Sequence, residues 1–250
     1  MTHSLPTPAI EGDDPLAPPK RTEPVPATRP AALLWDFDGT LADTEPLWIA
    51  AEYDLIGRLG GSWSDEHAHQ LVGNSLIDSG IYILNAIERP DLDPAWVVDQ
   101  LVAQVIEGLA SGAVPWRPGA LELLEASTRA GVPCALVSAS YRVILDAALA
   151  ALPAGTFTTS VAGDEVEHGK PHPEPYERAC AALGVRAQDC VVFEDSETGA
   201  RSGNAAGGFV VAVPNRVPVP DAPRRVQRAS LADVDLADLA RLLDEADALV

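Results

Sequence analysis

The chain has 250 residues, 47% of them hydrophobic, and a mean hydropathy of +0.05, which suits a globular protein with one substantial core plus a small insertion. Thirty-seven acidic against seventeen basic residues leave a formal charge of −20, which repels nucleic acid and anionic membranes and removes both from the expected partners. No apolar run approaches the ~18 residues of a membrane span, no basic-then-apolar secretion signal opens the chain, and Cys134, Cys180 and Cys190 show no CxxC spacing, so a reduced, cytoplasmic setting is expected.

Residues 1–30 contain eight prolines and few apolar side chains, a composition that predicts a disordered tail. The fold is expected to begin at Ala31. There the apolar run Ala31 to Trp35 is too short for a helix and is bounded by a turn signal at Gly39, as a central parallel strand buried on both faces would be. Asp36 and Asp38 fall at its carboxyl edge, where open α/β sheets bind ligands. Carboxylates so close together need a compensating cation, and a hard divalent ion such as Mg²⁺ suits them. Taken alone, the pair also fits a capped strand end with Asp38-Gly39 in a turn. The longer string WDFDGTLADTEPLW, Trp35 to Trp48, resembles the first motif of the haloacid dehalogenase superfamily. Its Asp-Thr-Glu-Pro-Leu-Trp extension is similar to the beta-phosphoglucomutase-like, sugar-phosphatase branch.

Pro46 to about Ala113 is helical in pattern. LWIAAEYDLIGRLGG closes on paired glycines, HAHQLVG is short, SLIDSGIYILNAIE repeats apolar residues at helical spacing, and PAWVVDQLVAQVIEGLASG ends on Gly112. The segment resembles the helical cap that the same branch inserts after its first strand. From Arg117 the pattern alternates: helix PGALELLEASTRAG, strand VPCALVS, helix Tyr141 to Leu152, strand TFTTSVAG, helix PEPYERACAALG, strand CVVFEDS, helix TGARSGNAAGG, strand FVVAVP. Such alternation predicts right-handed βαβ units on a parallel sheet. A loop, NRVPVPDAPRRVQRAS, leads to a final amphipathic helix, LADVDLADLARLLDEADAL. The fold class is therefore α/β, a Rossmann-like parallel sheet with an inserted helical cap. Expected boundaries are a tail over 1–30, a core over 31–45 and 114–250, and a cap over 46–113.

Three later segments complete the resemblance. VPCALVSAS ends on the hydroxyls of Ser138 and Ser140, which alone read as a helix cap; Ser138 matches the second motif, a phosphate-binding hydroxyl. HGKPHPEPY holds Lys170 between Gly169 and Pro171. Only Lys20 and Lys170 occur beside fifteen arginines, and a lysine retained in such a composition suggests a compact point charge. Lys170 matches the third motif, whose ammonium bridges nucleophile and phosphate. CVVFEDS ends on Glu194 and Asp195, the fourth motif. The resemblance implies Asp36 as nucleophile, Asp38 as general acid and base, and Mg²⁺ held by Asp36, the Asp38 carbonyl, Asp195 and Glu194. Ser138 and Lys170 would bind the phosphate.

The expected activity is hydrolysis of a small phosphorylated metabolite, a sugar or polyol phosphate, through an aspartyl phosphate, by a monomeric enzyme. A beta-phosphoglucomutase-type mutase and a non-catalytic binding protein of the same fold are the rivals. Asp38 argues against haloalkanoate dehalogenation, and the absence of lysine between Pro46 and Trp116 argues against a phosphonatase. The cap offers only Arg58 and Arg89 as cations, which suits a monophosphate with a neutral body. Substrate contacts are expected from Glu45, the loop around Gly73-Asn74-Ser75, Ser140, and Tyr141 with Arg142. His168 and His172 receive no role, His67 and His69 read as a solvated surface, and Arg224, Arg225 and Arg228 as surface salt bridging.

Overall fold

The computed structural model describes residues 30–71, 74–111 and 114–248. The tail before Pro30, and Gly73 and Gly112, lie outside the described residues. Six strands form one sheet: β1 (Ala32–Trp35), β2 (Cys134–Val137), β3 (Thr159–Val161), β4 (Cys190–Glu194), β5 (Phe209–Ala212) and β6 (Arg225–Gln227). Their order is β3-β2-β1-β4-β5-β6, and every pair is parallel. After β3 the chain returns to the other side of β1, so a topological switch point lies between β1 and β4, the position where such sheets open a crevice for ligands. Register aligns Trp35 with Phe193, so Asp36 and Glu194 leave neighbouring strands side by side.

The apolar run of β1 separates by parity. Leu33 and Trp35 join a core with Leu123 and Leu124 of α5 (Ala120–Ala130), Ile144 and Leu145 of α6 (Arg142–Ala150), and Leu239 and Leu243 of α9 (Leu236–Asp247). Ala32 and Leu34 face the opposite core, with Tyr176 and Ala179 of α7 (Glu174–Leu183) and Ala200 of α8 (Glu197–Ala205). Both faces are covered, so no position in the strand tolerates a polar residue. Burying each large side chain there contributes about 1.5–3 kcal/mol.

Between β1 and α5 the chain inserts α1 (Glu45–Arg58), α2 (Asp65–His69), α3 (Leu76–Ala86) and α4 (Pro94–Ala110). Ser64, Ser75 and Asp93 cap α2, α3 and α4 with their side chains. The inner faces of α1, α3 and α4 carry Leu55, Ile83, Val97, Leu101 and Val105 into the same core that holds Leu33 and Trp35.

Two sequence expectations shift. The segment read as one loop, 215–230, contains β6, a short parallel edge strand whose Arg-Val-Gln sequence has no hydrophobic run to announce it. The last helix begins at Leu236, because Asp235 accepts a hydrogen bond from the Asp238 backbone N–H and so acts as its N-cap. Of the basic cluster, Arg224 pairs with Asp247 at 2.8 Å, while Arg225 donates to Asn204 and to the Pro220 carbonyl. Cys134, Cys180 and Cys190 are free and buried.

Candidate active site

The carboxyl ends of β1, β2 and β4 converge on one crevice, whose wall also takes in residues of the four-helix insertion. Asp36 continues β1 and is buried. Its Oδ1 accepts a 2.8 Å hydrogen bond from Lys170 Nζ, whereas its Oδ2 is buried with no partner. Lys170 also donates to Glu194 Oε1 at 2.6 Å and to the Val137 carbonyl at 2.9 Å, with its side chain only 5% exposed. All three ammonium protons are thereby used. Burial alone would lower the Lys170 pKa, but Asp36 and Glu194 overcome it and hold the group above the ordinary lysine value.

The turn carrying Lys170 is fixed from α7. Glu174 accepts backbone N–H bonds from Glu167 and His168, each at 2.9 Å, and pairs with the His168 ring at 3.2 Å. His172 Nδ1 accepts the Glu174 backbone N–H. His168, His172 and Glu174 form one of two groupings of potential metal ligands among the described residues, but this one is spent on holding the loop.

The other grouping is Asp36, Glu194 and Asp195, all buried, with carboxylate oxygens within 4.8 Å of one another. Burial first, then Glu194, pushes the Asp36 pKa from its ordinary 3.8 up to about 7, against the pull of Lys170. Burial, with the charges of Asp36 and Glu194, raises Asp195 well above the usual carboxylate range. One ammonium does not balance this much buried negative charge. The orphaned Asp36 oxygen, the all-oxygen donor set and the excess charge fit a hard divalent cation. Two glycines make room for these carboxylates. Gly39 sits at φ +89°, where a Cβ would fall 2.1 Å from Asp195 Oδ2, and a Cβ on Gly199 would fall 2.0 Å from the Glu194 carboxylate. Glu194 is further engaged by Tyr176, whose hydroxyl donates to Oε1 at 2.6 Å, and by Ser196.

Asp38, two residues on from Asp36, is held by four donors. Thr44 (2.6 Å) and Trp48 Nε1 (3.2 Å) bind Oδ1, and the hydroxyls of Ser138 (3.2 Å) and Ser140 (2.7 Å) bind Oδ2. Three of these four are hydroxyls, which can accept as well as donate. Ser138 Oγ also accepts the Ser140 backbone N–H at 2.9 Å. The Asp38 side chain is committed to this cage, so its carboxylate is separate from the cation grouping.

The crevice wall includes Glu45, Asn74 and Ser140, whose hydroxyl is directed at Asp38. The Asn74 side chain donates to the Gln70 carbonyl. Arg142 is elsewhere, and neither it nor Tyr141 lines the crevice. The Arg142 guanidinium binds Glu165 at 2.6 Å and Ser160 at 2.8 Å, because α6 turns its first residue toward the 3₁₀ turn at Gly163–Glu165. Among the residues that sequence reasoning passed over, Trp48, Glu52, Ser79, Asn215 and Arg216 bring polar groups to the wall. Trp48 and Glu52 lie three and seven residues after Glu45 on α1, one helical face, which is the signal that points to them. Asn215 donates to Asp43, and Arg216 pairs with Asp43 at 3.3 Å, which joins the loop after β5 to the stem of the insertion. His67 stacks on Trp63 at 4.8 Å, away from both metal-ligand groupings.

A switch-point crevice with paired carboxylates on adjacent strands, a buried lysine and a wall shared with a helical insertion marks an enzyme built on a doubly wound α/β sheet. The chain belongs to the haloacid dehalogenase-like hydrolase family, whose family description matches residues 33–213. It is 36% identical over 197 residues to Protein CbbY of Rhodobacter capsulatus, covering 74% of this chain and 85% of that protein. It is 31% identical over 214 residues to Hexitol phosphatase B of Escherichia coli, covering 84% of this chain and 93% of the other. The crystal structure of CbbY from Rhodobacter sphaeroides in complex with phosphate superposes with a TM-score of 0.76 at 28% identity, over 84% of this chain and 98% of that one.

Proposed function

We propose that the protein is a Mg²⁺-dependent phosphomonoester hydrolase acting on a small sugar or polyol phosphate, with Asp36 as nucleophile. The observation that carries this reading is the split role of Asp36. One oxygen is anchored by Lys170 and the other is buried and unpartnered beside a cluster of carboxylates, next to an Asp38 held in a cage of hydroxyls.

Phosphoryl transfer needs positioning and charge stabilisation more than covalent assistance. Lys170 would turn the proton now on the Val137 carbonyl, and Ser138 the proton now on Asp38, to the phosphoryl oxygens and place phosphorus in line with Asp36. The Asp36 carboxylate attacks, and the ester oxygen leaves with a proton from Asp38. Asp38 then takes a proton from water, whose oxygen attacks the aspartyl phosphate, and phosphate and free Asp36 are regenerated. Asp36, Asp195, Glu194 and the Asp38 carbonyl would hold Mg²⁺, which supplies neutralisation of the charge on the transferring group. The four-helix insertion acts as the cap that excludes water from this step.

The substrate class is supported from the walls. Arg58 pairs with Asp54 and Arg89 with Asp91, both exposed, and neither lines the crevice. A neutral body therefore fits the cap side better than a second phosphate, which favours a phosphatase over a mutase. The name of the Escherichia coli relative, a hexitol phosphatase, points the same way. Among the described residues no helix is long and apolar enough to cross a membrane. The three cysteines are buried and free, which fits a reducing compartment such as the cytoplasm. The test is phosphate release from a panel of sugar, polyol and small phosphomonoesters with Mg²⁺, beside an assay for conversion of beta-glucose 1-phosphate to glucose 6-phosphate. Free phosphate, lost with EDTA, is the expected result; isomerisation without net release would make the protein a mutase.

A further inference from the structure

Glu52 is a buried acid that the phosphate chemistry does not use. It lies on the same face of α1 as Trp48, whose indole N–H reaches Asp38, and one further turn along the helix, about 6 Å deeper into the cap at 1.5 Å per residue. It is 4% exposed, yet it lines the crevice together with Ser79 of α3, itself 7% exposed, among the apolar side chains Leu71, Leu76, Val98 and Leu101. Among the described residues its one hydrogen-bond donor is Trp63 Nε1, which binds Oε2 at 3.0 Å. The two arginines of the insertion are paired elsewhere.

A carboxylate in such a wall is costly, and the Trp63 bond alone does not explain it, because glutamine would accept that bond without a buried charge. Burial, against the help of the Trp63 N–H and with the added charge of Glu45, pushes Glu52 up to about 7. A hydroxyl brought by a ligand would supply the missing donor. A phosphate brought to the same place would meet two acids, Glu45 and Glu52, and no cap cation, while Arg216 on the core side of the crevice is paired with Asp43.

We propose that Glu52 and Ser79 form a distal subsite that binds hydroxyls of a polyol chain several carbons from the scissile phosphate and rejects a second phosphate there. The inference rests on the phosphatase reading and deepens it to extended polyol monophosphates. A three-carbon ester would fill the phosphate site without reaching Glu52, whereas a six-carbon one spans both. The apolar side chains around the acid would pack against the carbon backbone of the ligand.

Binding separates this proposal from the reaction itself. In an Asp36→Asn background with Mg²⁺, calorimetry would give dissociation constants for sorbitol 6-phosphate, glycerol 3-phosphate and fructose 1,6-bisphosphate. The expected starting point is tighter binding of sorbitol 6-phosphate than of glycerol 3-phosphate. Glu52→Ala should shrink that preference at least tenfold. Glu52→Gln keeps an acceptor for Trp63 and guards against misfolding; it should shrink the preference about threefold and tighten the bisphosphate about fivefold. No starting preference, or a preference and a bisphosphate affinity that stay within twofold in a folded Glu52→Gln protein, would overturn the subsite. Failure of the wild-type protein to release phosphate from any ester would instead count against the phosphatase reading, leaving the binding ratios to judge Glu52.

Discussion

Removing the divalent cation should make the protein less stable as pH rises. In the unfolded chain Asp36 titrates near 3.8, but in the fold burial and Glu194 raise it to about 7, so over the intervening range the folded state holds a proton that the unfolded state has released. Stability falls with pH wherever the folded state binds more protons. Each pH unit of separation is worth 1.36 kcal/mol, so Asp36 alone removes up to about 4 kcal/mol between about pH 4 and about pH 8. Asp195 is displaced in the same direction and adds to the loss. Lys170 does not cancel it: its raised pKa leaves the ammonium charged throughout this window, and its contribution begins to fall only above the ordinary lysine value of 10.5. For a chain of this size a kilocalorie shifts the midpoint by about 2–4 °C, so a loss of about 2–4 kcal/mol lowers it by roughly 5–15 °C. Mg²⁺ binds the deprotonated carboxylates and should recover most of this at about pH 8 and little at about pH 5. Scanning calorimetry in EDTA and in saturating Mg²⁺ across this range reads both effects, with Asp36→Asn as the control that flattens the metal-free slope. A metal-free midpoint that rises over the same interval, or a Mg²⁺ shift equal at both ends, would refute the reasoning.

Two substitutions probe other parts of the site. Asp38→Asn keeps the acceptor for Thr44 and Trp48 but cannot move a proton, so turnover should fall by about 10²–10⁴ with the fold intact, and the loss should be smallest for esters with acidic leaving groups such as 4-nitrophenyl phosphate; equal losses on all esters would remove its acid role. Gly39→Ala places a Cβ within 2.1 Å of Asp195 Oδ2 at a backbone angle of +89°, and Mg²⁺ affinity measured by titration should weaken at least about 10-fold; an unchanged affinity would show that the Asp195 position is not critical.

The features legible in the sequence are those with a local cause. The β1 run followed by Asp36 and Asp38 announces a strand and its functional end, because a two-sided strand admits no polar residue before its edge. Lys170 stands out by scarcity, and the structure places its ammonium on Asp36 across 134 positions of sequence. Less legible are residues whose role depends on two elements meeting. Trp48 and Thr44 read as the first turn of a helix, yet their side chains hold Asp38. Tyr176 reads as a core residue of α7, yet its hydroxyl reaches Glu194. Arg142 follows the second-motif serines closely in sequence, but the start of α6 turns it toward Glu165, so proximity along the chain misleads. The strand β6 has no sequence signal because only its backbone pairing with β5 defines it.

The central claim, that Asp36 is the nucleophile, is tested most directly by rapid acid quench of the enzyme turning over a radiolabelled phosphate ester with Mg²⁺, followed by mapping of the labelled peptide. The account expects a transient phosphoryl group on Asp36 and neither label nor phosphate release in Asp36→Asn. Turnover by Asp36→Asn at the wild-type rate, or a label on any other residue, would contradict it.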